Sequence, residues 1–337
     1  MRLFMDVIKC LGNSLEKETK KKKLKEDLER QRKDWETEQS KNQQPMPLDA
    51  INKRGSYYFI GPPRSGKTVF FVTMADRMLR MHIEHKDKAP YVATYATRET
   101  ELFVTHSIKE MEKSRWPMKT QYGNSYEMDI ESRKVIAMSE GRFVFHDYAG
   151  EVFMHAFGDP ASQEENSAHA EDAKKLREEM KNAKGVFLVL DSQDLHNGLS
   201  EELQGSLFYL ANYMRQKGGN SSKKLAVIFS KSDFFKQVSI DPEEIFKIRY
   251  PNAYNNFEKL DPKLDTKYFF VTSIKDPLIK DGKYLPPKDY NTSQTDGIIE
   301  AALWMLDIKD KSFLQELKEK INTDFRGRFN RHFGIRF

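Results

Sequence analysis

Residues 61–68 combine glycines, a lysine and a threonine in an order that suits phosphate binding. They read GPPRSGKT, the complete pattern G-x-x-x-x-G-K-[ST], and the apolar run 57–60 before them predicts a strand. The two glycines let the backbone bend so that N–H groups and the start of a helix face an anion. We expect Lys67 to contact the β- and γ-phosphates and Thr68 to ligate Mg²⁺. The contacts predicted for this P-loop (61–68) and the next residue are Gly61, Pro62, Pro63, Arg64, Ser65, Gly66, Lys67, Thr68 and Val69.

A second motif is suited to sensing a terminal phosphate. DYAGE at 147–151 directly follows the strand predicted at 142–146. Asp147 can hold the Mg²⁺ shell there, and the N–H of Gly150 can bind a γ-phosphate. The loop would then respond to the presence of that phosphate.

Two more motifs are suited to reading a purine base. SKSD at 230–233 follows the apolar run 225–229, and TSI at 272–274 ends the run 268–271. The carboxylate of Asp233 can accept hydrogen bonds from N1–H and the exocyclic amine of guanine, a donor pair that adenine lacks. A backbone N–H of the second motif can meet guanine O6. The predicted base contacts are Ser230, Lys231, Asp233, Thr272, Ser273 and Ile274.

These motifs sit at the ends of predicted strands that alternate with helices. The runs 185–191 and 225–229 are nearly all apolar, as in central parallel strands covered on both faces. We therefore predict a doubly wound α/β domain with a mostly parallel sheet, helices on both faces and ligands at the carboxyl ends of the strands. The further predicted strands are 91–95, 126–130, 135–138 and 268–271, and the predicted helices are 69–81, 201–216, 297–306 and 311–321.

The composition agrees with a globular protein in a reducing compartment. The 337 residues are 38% hydrophobic and 12% aromatic, which is enough for a large core. The single cysteine, Cys10, excludes an intramolecular disulfide and a multi-cysteine zinc site, which predicts a cytoplasmic location. The net charge of +5 does not indicate a specific nucleic-acid partner.

The two ends of the chain differ from its middle. Apolar residues at helical spacing predict an amphipathic helix over 1–15, and Lys, Glu and Gln dominate 17–44. We predict a charged helical arm at 1–47, a nucleotide domain at 48–310, and a C-terminal helix with a Phe- and Arg-rich tail at 311–337. Either terminus can dock on a protein partner or, weakly, on the anionic inner surface of a membrane.

In their order along the chain, the motifs resemble a known family. GPPRSGKT, DYAGE, SKSD and TSI are similar to the boxes of the Ras-like GTPases of the translation-factor-related class, over residues 56–306. The long arm and the charged stretch 150–185 resemble divergent prokaryotic members, such as the paired GTPases of bacterial conflict systems. The resemblance implies a P-loop GTPase fold, GTP or GDP with Mg²⁺ as ligands, and partner binding through two switch segments, the second enlarged.

Some residues depart from that family's pattern. Ser230 stands where the base box normally begins with Asn or Thr. Glu151 replaces a water-positioning glutamine, which predicts slow intrinsic hydrolysis. Arg64 matches an arginine of the guanylate-binding proteins, where it turns toward the phosphates on dimerisation. In this chain it is either such a finger, used in a homodimer, or a solvent-exposed loop residue.

The threonine of the first switch that would reach Mg²⁺ is one of three. Thr94, Thr97 and Thr100 all lie in the expected segment, and we prefer Thr97 because it is central. We assign catalysis to Lys67, Arg64, Gly150 and Glu151. Asp191, at the end of a predicted strand, is set aside as polar but not catalytic, and His146 is read as a strand residue.

We predict a GTP-binding switch protein that hydrolyses GTP slowly, by in-line attack of water on the γ-phosphate with Mg²⁺. Two other functions stay open. A P-loop ATPase or nucleotide kinase is compatible with Ser230, and a scaffold that binds nucleotide without turnover is compatible with Glu151.

Overall fold

A computed structural model shows how the predicted elements assemble. It describes residues 55–85, 89–117, 124–133, 140–146, 150–158, 169–193, 201–215, 223–235, 241–259, 264–280, 283–288, 290–291 and 295–308. Several predictions lie outside these residues: the N-terminal arm, the strand at 135–138, Asp147, the helix at 311–321 and the C-terminal tail. The proposed domain limits near residues 47 and 310 also lie outside them and stay predictions.

Seven strands form the main sheet. They are β1 (Gly55–Ile60), β2 (Tyr91–Tyr95), β3 (Ser125–Ser132), β4 (Glu140–His146), β5 (Gly185–Asp191), β6 (Lys224–Ser230) and β7 (Asp265–Phe270). Their order across the sheet is β2-β3-β4-β1-β5-β6-β7. The strands β4, β1, β5, β6 and β7 pair in parallel, whereas β3 runs antiparallel to both of its neighbours. The predicted mostly parallel sheet is confirmed.

Helices cover both faces of this sheet, as the doubly wound class requires. They are α1 (Lys67–His85), α2 (Arg98–Glu112), α3 (Gly150–Phe157), α4 (Ala170–Asn182), α5 (Glu201–Arg215), α6 (Pro242–Arg249), α7 (Pro251–Lys259) and α8 (Ile298–Met305). One apolar core contains buried residues of α1, α2 and α8, and a second core contains those of α3 to α7. The α/β fold class predicted from the sequence is therefore confirmed.

The central strands are buried on both faces because their side chains alternate between the two cores. All seven residues of β5 and all seven of β6 are buried. Phe187 of β5 enters the first core, where its ring stacks on Phe59 of β1 at 4.6 Å, while Leu188 enters the second. Each such side chain contributes roughly 1.5–3 kcal/mol of burial. This burial fixes the carboxyl ends of β1, β5 and β6 beside one another.

The sheet is half covered where β3 and β4 pair. Tyr126, Met128 and Ile130 point into the first core, and Glu127 and Asp129 alternate to the other face. There each of these two carboxylates lies 2.8 Å from a guanidinium nitrogen of Arg142 on β4. This pattern is typical of an antiparallel strand with one solvated face.

A small hairpin lies between β7 and α8, the last helix among the described residues. It consists of β8 (Leu278–Lys280) and β9 (Lys283–Leu285), which pair antiparallel. Trp116, beyond the end of α2, donates its indole N–H to the carbonyl of Tyr284 at 2.9 Å. Within the described parts of the chain, none of the helices combines the length and apolar content needed to cross a bilayer.

Candidate nucleotide-binding site

The P-loop lies between the end of β1 and the start of α1, as predicted. Gly61 has a φ of 150°, and a Cβ there would lie 2.2 Å from the carbonyl oxygen of Val189, so a larger residue does not fit. Gly66 has a φ of 87°, and its carbonyl accepts the N–H of Phe70 at 2.9 Å in the first turn of α1. Gly61 therefore permits the close approach to Val189, and both glycines adopt the positive φ that the loop requires.

Lys67 folds back over the loop from the first position of α1. Its Nζ donates to the carbonyl oxygens of Gly61 at 3.0 Å and Pro62 at 2.8 Å. The ammonium group thus lies against the backbone of the loop, close to where the loop begins. Thr68 follows it in the first turn and is partly buried.

The two prolines limit which backbone groups can bind an anion. Pro62 and Pro63 have no N–H, so after Gly61 the next backbone donor of the loop is that of Arg64. Arg64 is exposed and has a φ of 62°, a strained value for a residue with a Cβ. Ser65 beyond it is fully buried.

Gly150 brings the DYAGE motif into contact with the P-loop. It is the buried first residue of α3. A Cβ on Gly150 would lie 2.0 Å from the nitrogen of Pro63 and 2.5 Å from the carbonyl carbon of Pro62, so the two backbones touch. Glu151, which follows, is exposed. Asp147 lies outside the described residues, and its role as a Mg²⁺ ligand stays a prediction.

The SKSD motif is fastened to the P-loop by its first two residues. The hydroxyl of Ser230 lies 2.6 Å from the carbonyl oxygen of Ser65 and 3.1 Å from that of Leu190. The Nζ of Lys231 lies 3.4 Å from the carbonyl oxygen of Arg64 and pairs with the carboxylate of Asp191. The end of β6, the end of β5 and the P-loop are therefore linked.

Asp233 is placed to accept hydrogen bonds from a ligand. It lies in the short 3-10 turn Ser232–Phe235 and is partly exposed. Among the described residues, its carboxylate has no hydrogen-bond or ion-pair partner. A half-buried carboxylate with free lone pairs is what recognition of the donor edge of guanine requires.

The TSI motif packs directly against SKSD. The hydroxyls of Ser232 and Thr272 lie 3.0 Å apart, and the N–H of Ser232 donates to the carbonyl of Val271 at 3.3 Å. Tyr290 donates its hydroxyl proton to the carbonyl of Ser273 at 2.9 Å. Burial, followed by the charge of Asp76, raises the pKa of Tyr290, so the phenol stays a donor. Ile274 is partly buried next to them.

Thr97 has another function in the structure. Its side chain caps α2 by accepting the N–H of Thr100 at 3.1 Å. The sheet order places three strand spacings, about 14 Å, between β2 and β1. Thr94 is exposed on β2, and the hydroxyl of Thr100 accepts the N–H of Glu127 at 2.9 Å. The Mg²⁺ role of Thr97 stays a prediction, and the structure shows a helix cap.

Two residues near the site have partners that the sequence did not reveal. Asp191, which the sequence analysis set aside, pairs with Lys231. His146 at the end of β4 lies with Nε2 3.2 Å from Oε1 of Glu179 on α4, and its ring stacks on Tyr58. Burial and the nearby charge of Glu179 raise the pKa of Tyr58 to about 12. The strand reading of His146 agrees with these contacts.

The sequence matches a model of a known protein family. A family model described as Double-GTPase 2 matches residues 59–258, more than half of the 337 residues. The match includes the P-loop, DYAGE and SKSD. A comparison of the sequence with curated proteins gave no match.

Structure comparison gives distant overlaps with GTPases. Roco2 RocCORdC of Methanosarcina barkeri, bound to GDP, is 15% identical with a TM-score of 0.31, over 80% of this chain and 49% of that one. The signal recognition particle receptor SRb-GTP/SRX complex of Chaetomium thermophilum is 14% identical with a TM-score of 0.37, over 66% and 93%. The GTP-bound Ski7 GTPase-like domain of S. cerevisiae is 10% identical with a TM-score of 0.40, over 80% and 54%. The chain spans about half the length of the Roco2 chain, and we draw no conclusion from these overlaps.

Proposed function

This chain belongs to the Double-GTPase 2 family, and from that premise we propose that it is a guanine-nucleotide switch that hydrolyses GTP slowly. The observation that carries the proposal is the convergence of motifs at one edge of the sheet. Ser230 and Lys231 lie against the P-loop backbone on one side, and Gly150 lies against it on another. Phosphate-binding, base-binding and phosphate-sensing groups thus adjoin one another.

The phosphates would be held by the P-loop. The N–H groups from Arg64 onward and the ammonium of Lys67 supply positive potential at the start of α1. Lys67 would neutralise charge that develops on the β- and γ-phosphate oxygens during attack by water. Because its Nζ already lies on the loop backbone, it needs little rearrangement to do so.

The residues present also fit a magnesium ion. The described residues contain no group of three or more His, Cys, Asp or Glu that could hold a metal by itself. Thr68 lies in the first turn of α1, and its hydroxyl would hold Mg²⁺ together with Asp147 at a site that also needs phosphate oxygens. The bound ion would supply charge neutralisation at the phosphates.

Slow turnover follows from the residue after Gly150. Glu151 is exposed at the start of α3, beside the contact with the P-loop. An ionised carboxylate only accepts hydrogen bonds, and its charge opposes that of the phosphates. A regulator, or Arg64 of a second copy, would then supply the missing positive charge.

Guanine selectivity would rest on Asp233, and this is the test of the function. Titration calorimetry of the unmodified protein with GDP and ADP should show binding of GDP alone. Asp233→Asn should weaken GDP binding by about 1–3 kcal/mol and favour xanthosine diphosphate, whose extra carbonyl can pair with an amide. Asp265→Asn, at the exposed start of β7 on the opposite edge of the sheet from the motifs, is the matched control and should leave affinity unchanged.

The result separates the candidate functions. Equal affinity for ADP and GDP would contradict a guanine-nucleotide switch and favour an ATPase or kinase. GDP selectivity without release of phosphate from GTP would favour a non-hydrolysing scaffold. A pull-down with GDP-loaded and GTP-analogue-loaded protein tests the switch itself, because a partner should be retained in one state only.

A further inference from the structure

Asp191 is a buried carboxylate whose two oxygens both have partners. It ends β5, and its side chain is 8% exposed. Oδ1 accepts the N–H of Gln193 at 2.9 Å, and Oδ2 pairs with the Nζ of Lys231. A carboxylate this deeply buried is stable because both oxygens are engaged.

Two observations indicate that the surrounding structure constrains Lys231. Its φ is 56°, in the left-handed region that residues with a Cβ avoid. Its Nζ lies between the carboxylate of Asp191 and the carbonyl oxygen of Arg64 in the P-loop. One ammonium group therefore joins the end of β5 to the phosphate-binding loop, two residues before Asp233.

Ser230 makes this link more important than it would be beside an asparagine. A serine hydroxyl has one proton, whereas an asparagine amide has two and an acceptor oxygen. The single proton of Ser230 is shared between the carbonyls of Ser65 and Leu190. Ser230 can therefore donate fewer hydrogen bonds to the P-loop than an asparagine could. The contact between SKSD and the P-loop depends correspondingly more on Lys231 and Asp191.

We propose that Asp191 is a positioning residue for guanine recognition. By fixing Lys231, it holds the SKSD loop against the P-loop and so sets where Asp233 lies relative to the phosphates. The inference rests on the proposed function. It assigns a role to a residue outside the four nucleotide motifs.

Asp191→Asn is the sharpest perturbation because it keeps the size of the side chain. The amide can still accept the N–H of Gln193 through its oxygen, but it then presents donors to the ammonium of Lys231. Loss of a group that orients a metal ligand commonly costs about 10–100-fold in affinity. By analogy, we expect the Kd for GDP to rise about tenfold or more, with faster dissociation and reduced preference for GDP over ADP. Glu178→Gln, which breaks the exposed 2.7 Å ion pair with Lys181 on α4, is the control and should leave both quantities unchanged.

A double-mutant cycle separates positioning from general stability. Lys231→Met should raise the Kd for GDP by at least that factor, because it also removes a predicted base contact, and the double variant should be no worse than Lys231→Met alone. Additive losses, or an Asp191→Asn protein with a lower melting temperature but unchanged Kd and selectivity, would overturn the proposal. If Asp191→Asn does not fold, Asp191→Ser keeps an acceptor for Gln193 and must show the same loss.

Measurements on the unmodified protein distinguish a failure of the proposed function from a failure of the role of Asp191. If it binds ADP and GDP equally, the proposed function fails whatever the variants do. If it prefers GDP and the Asp191 variants keep that preference and affinity, only the role of Asp191 fails.

Discussion

The contact between Gly150 and the P-loop predicts a large effect from one methyl group. A Cβ at Gly150 would lie 2.0 Å from the nitrogen of Pro63, 2.3 Å from its Cα and 2.5 Å from the carbonyl carbon of Pro62. All three atoms belong to backbone, and a proline ring restrains two of them. Gly150→Ala must therefore shift either the loop or the start of α3.

The expected size of the effect follows from two opposing terms. Overpacking against a rigid neighbour costs about 1–3 kcal/mol, and replacing a helical glycine regains at most about 1 kcal/mol. We expect a net loss of roughly 1–2 kcal/mol in the free energy of unfolding. Gly205 inside α5 gives the matched control, because a Cβ there meets nothing within 4 Å. Gly205→Ala should stabilise the protein by about 0.5–1 kcal/mol.

Gly150→Ala also distinguishes an effect on GDP binding from an effect on GTP turnover. Because the proline ring restrains the loop, we expect the start of α3 to shift, and the affinity for GDP, which has no γ-phosphate, should stay within about threefold of the unmodified value. GTP turnover should fall about tenfold or more, because the N–H of residue 150 would be displaced from the phosphate it is proposed to bind. Urea unfolding followed by circular dichroism and a phosphate-release assay measure the two effects. Unchanged stability and unchanged turnover in Gly150→Ala would refute the reasoning.

Three further predictions concern the phosphate side of the site. Lys67→Ala should lower GDP affinity about 100-fold while the melting temperature changes little, because the ammonium contacts the loop backbone rather than the core, and calorimetry measures both. Thr97→Ala should cost about 1 kcal/mol of stability through the lost cap without changing the Mg²⁺ concentration needed for turnover, whereas Thr68→Ala should raise that concentration. A raised Mg²⁺ requirement in Thr97→Ala would support the metal role instead. If Arg64 acts between two copies, turnover per molecule should rise with protein concentration and Arg64→Ala should abolish that rise, whereas a flat rate would leave Arg64 as an exposed loop residue.

The sequence predicted the central strands well because burial on both faces leaves a strong signal. Residues 185–191 were expected as a strand, and β5 has those bounds. Helices with narrow apolar faces were not predicted. In α4 the buried residues are Ala173, Leu176 and Met180, among many charged ones, so its periodicity is weak. The two strands of the β8–β9 hairpin have three residues each, too few for any pattern to show.

The sequence predicts site residues that lie in one contiguous motif. It does not predict contacts between residues that are far apart in the sequence. The P-loop is one contiguous motif, and the structure places it between a strand and a helix as expected. The pair Asp191 and Lys231 spans 40 residues and depends on the register of β5 with β6, in which Asp191 faces Ser230. Glu99 and Glu101 after Thr97 favour the helix start that Thr97 caps, a local signal that the sequence analysis did not use. The role of Thr97 as a metal ligand stays a prediction.

If SKSD binds the base as proposed, the contacts of Ser230 and Lys231 with the P-loop explain how a serine can stand where the family has an asparagine. In a trans peptide the C=O and the next N–H point in opposite directions. Because the carbonyl of Ser65 accepts from Ser230, the N–H of Gly66 is turned away from SKSD, and the contact of Lys231 with the carbonyl of Arg64 turns the N–H of Ser65 likewise. Two side chains thus orient two successive donors without a ligand, which lowers the ordering cost of binding an anion. The hydroxyl of Ser230 thus fixes the peptide plane between Ser65 and Gly66, while Lys231 fixes the plane between Arg64 and Ser65.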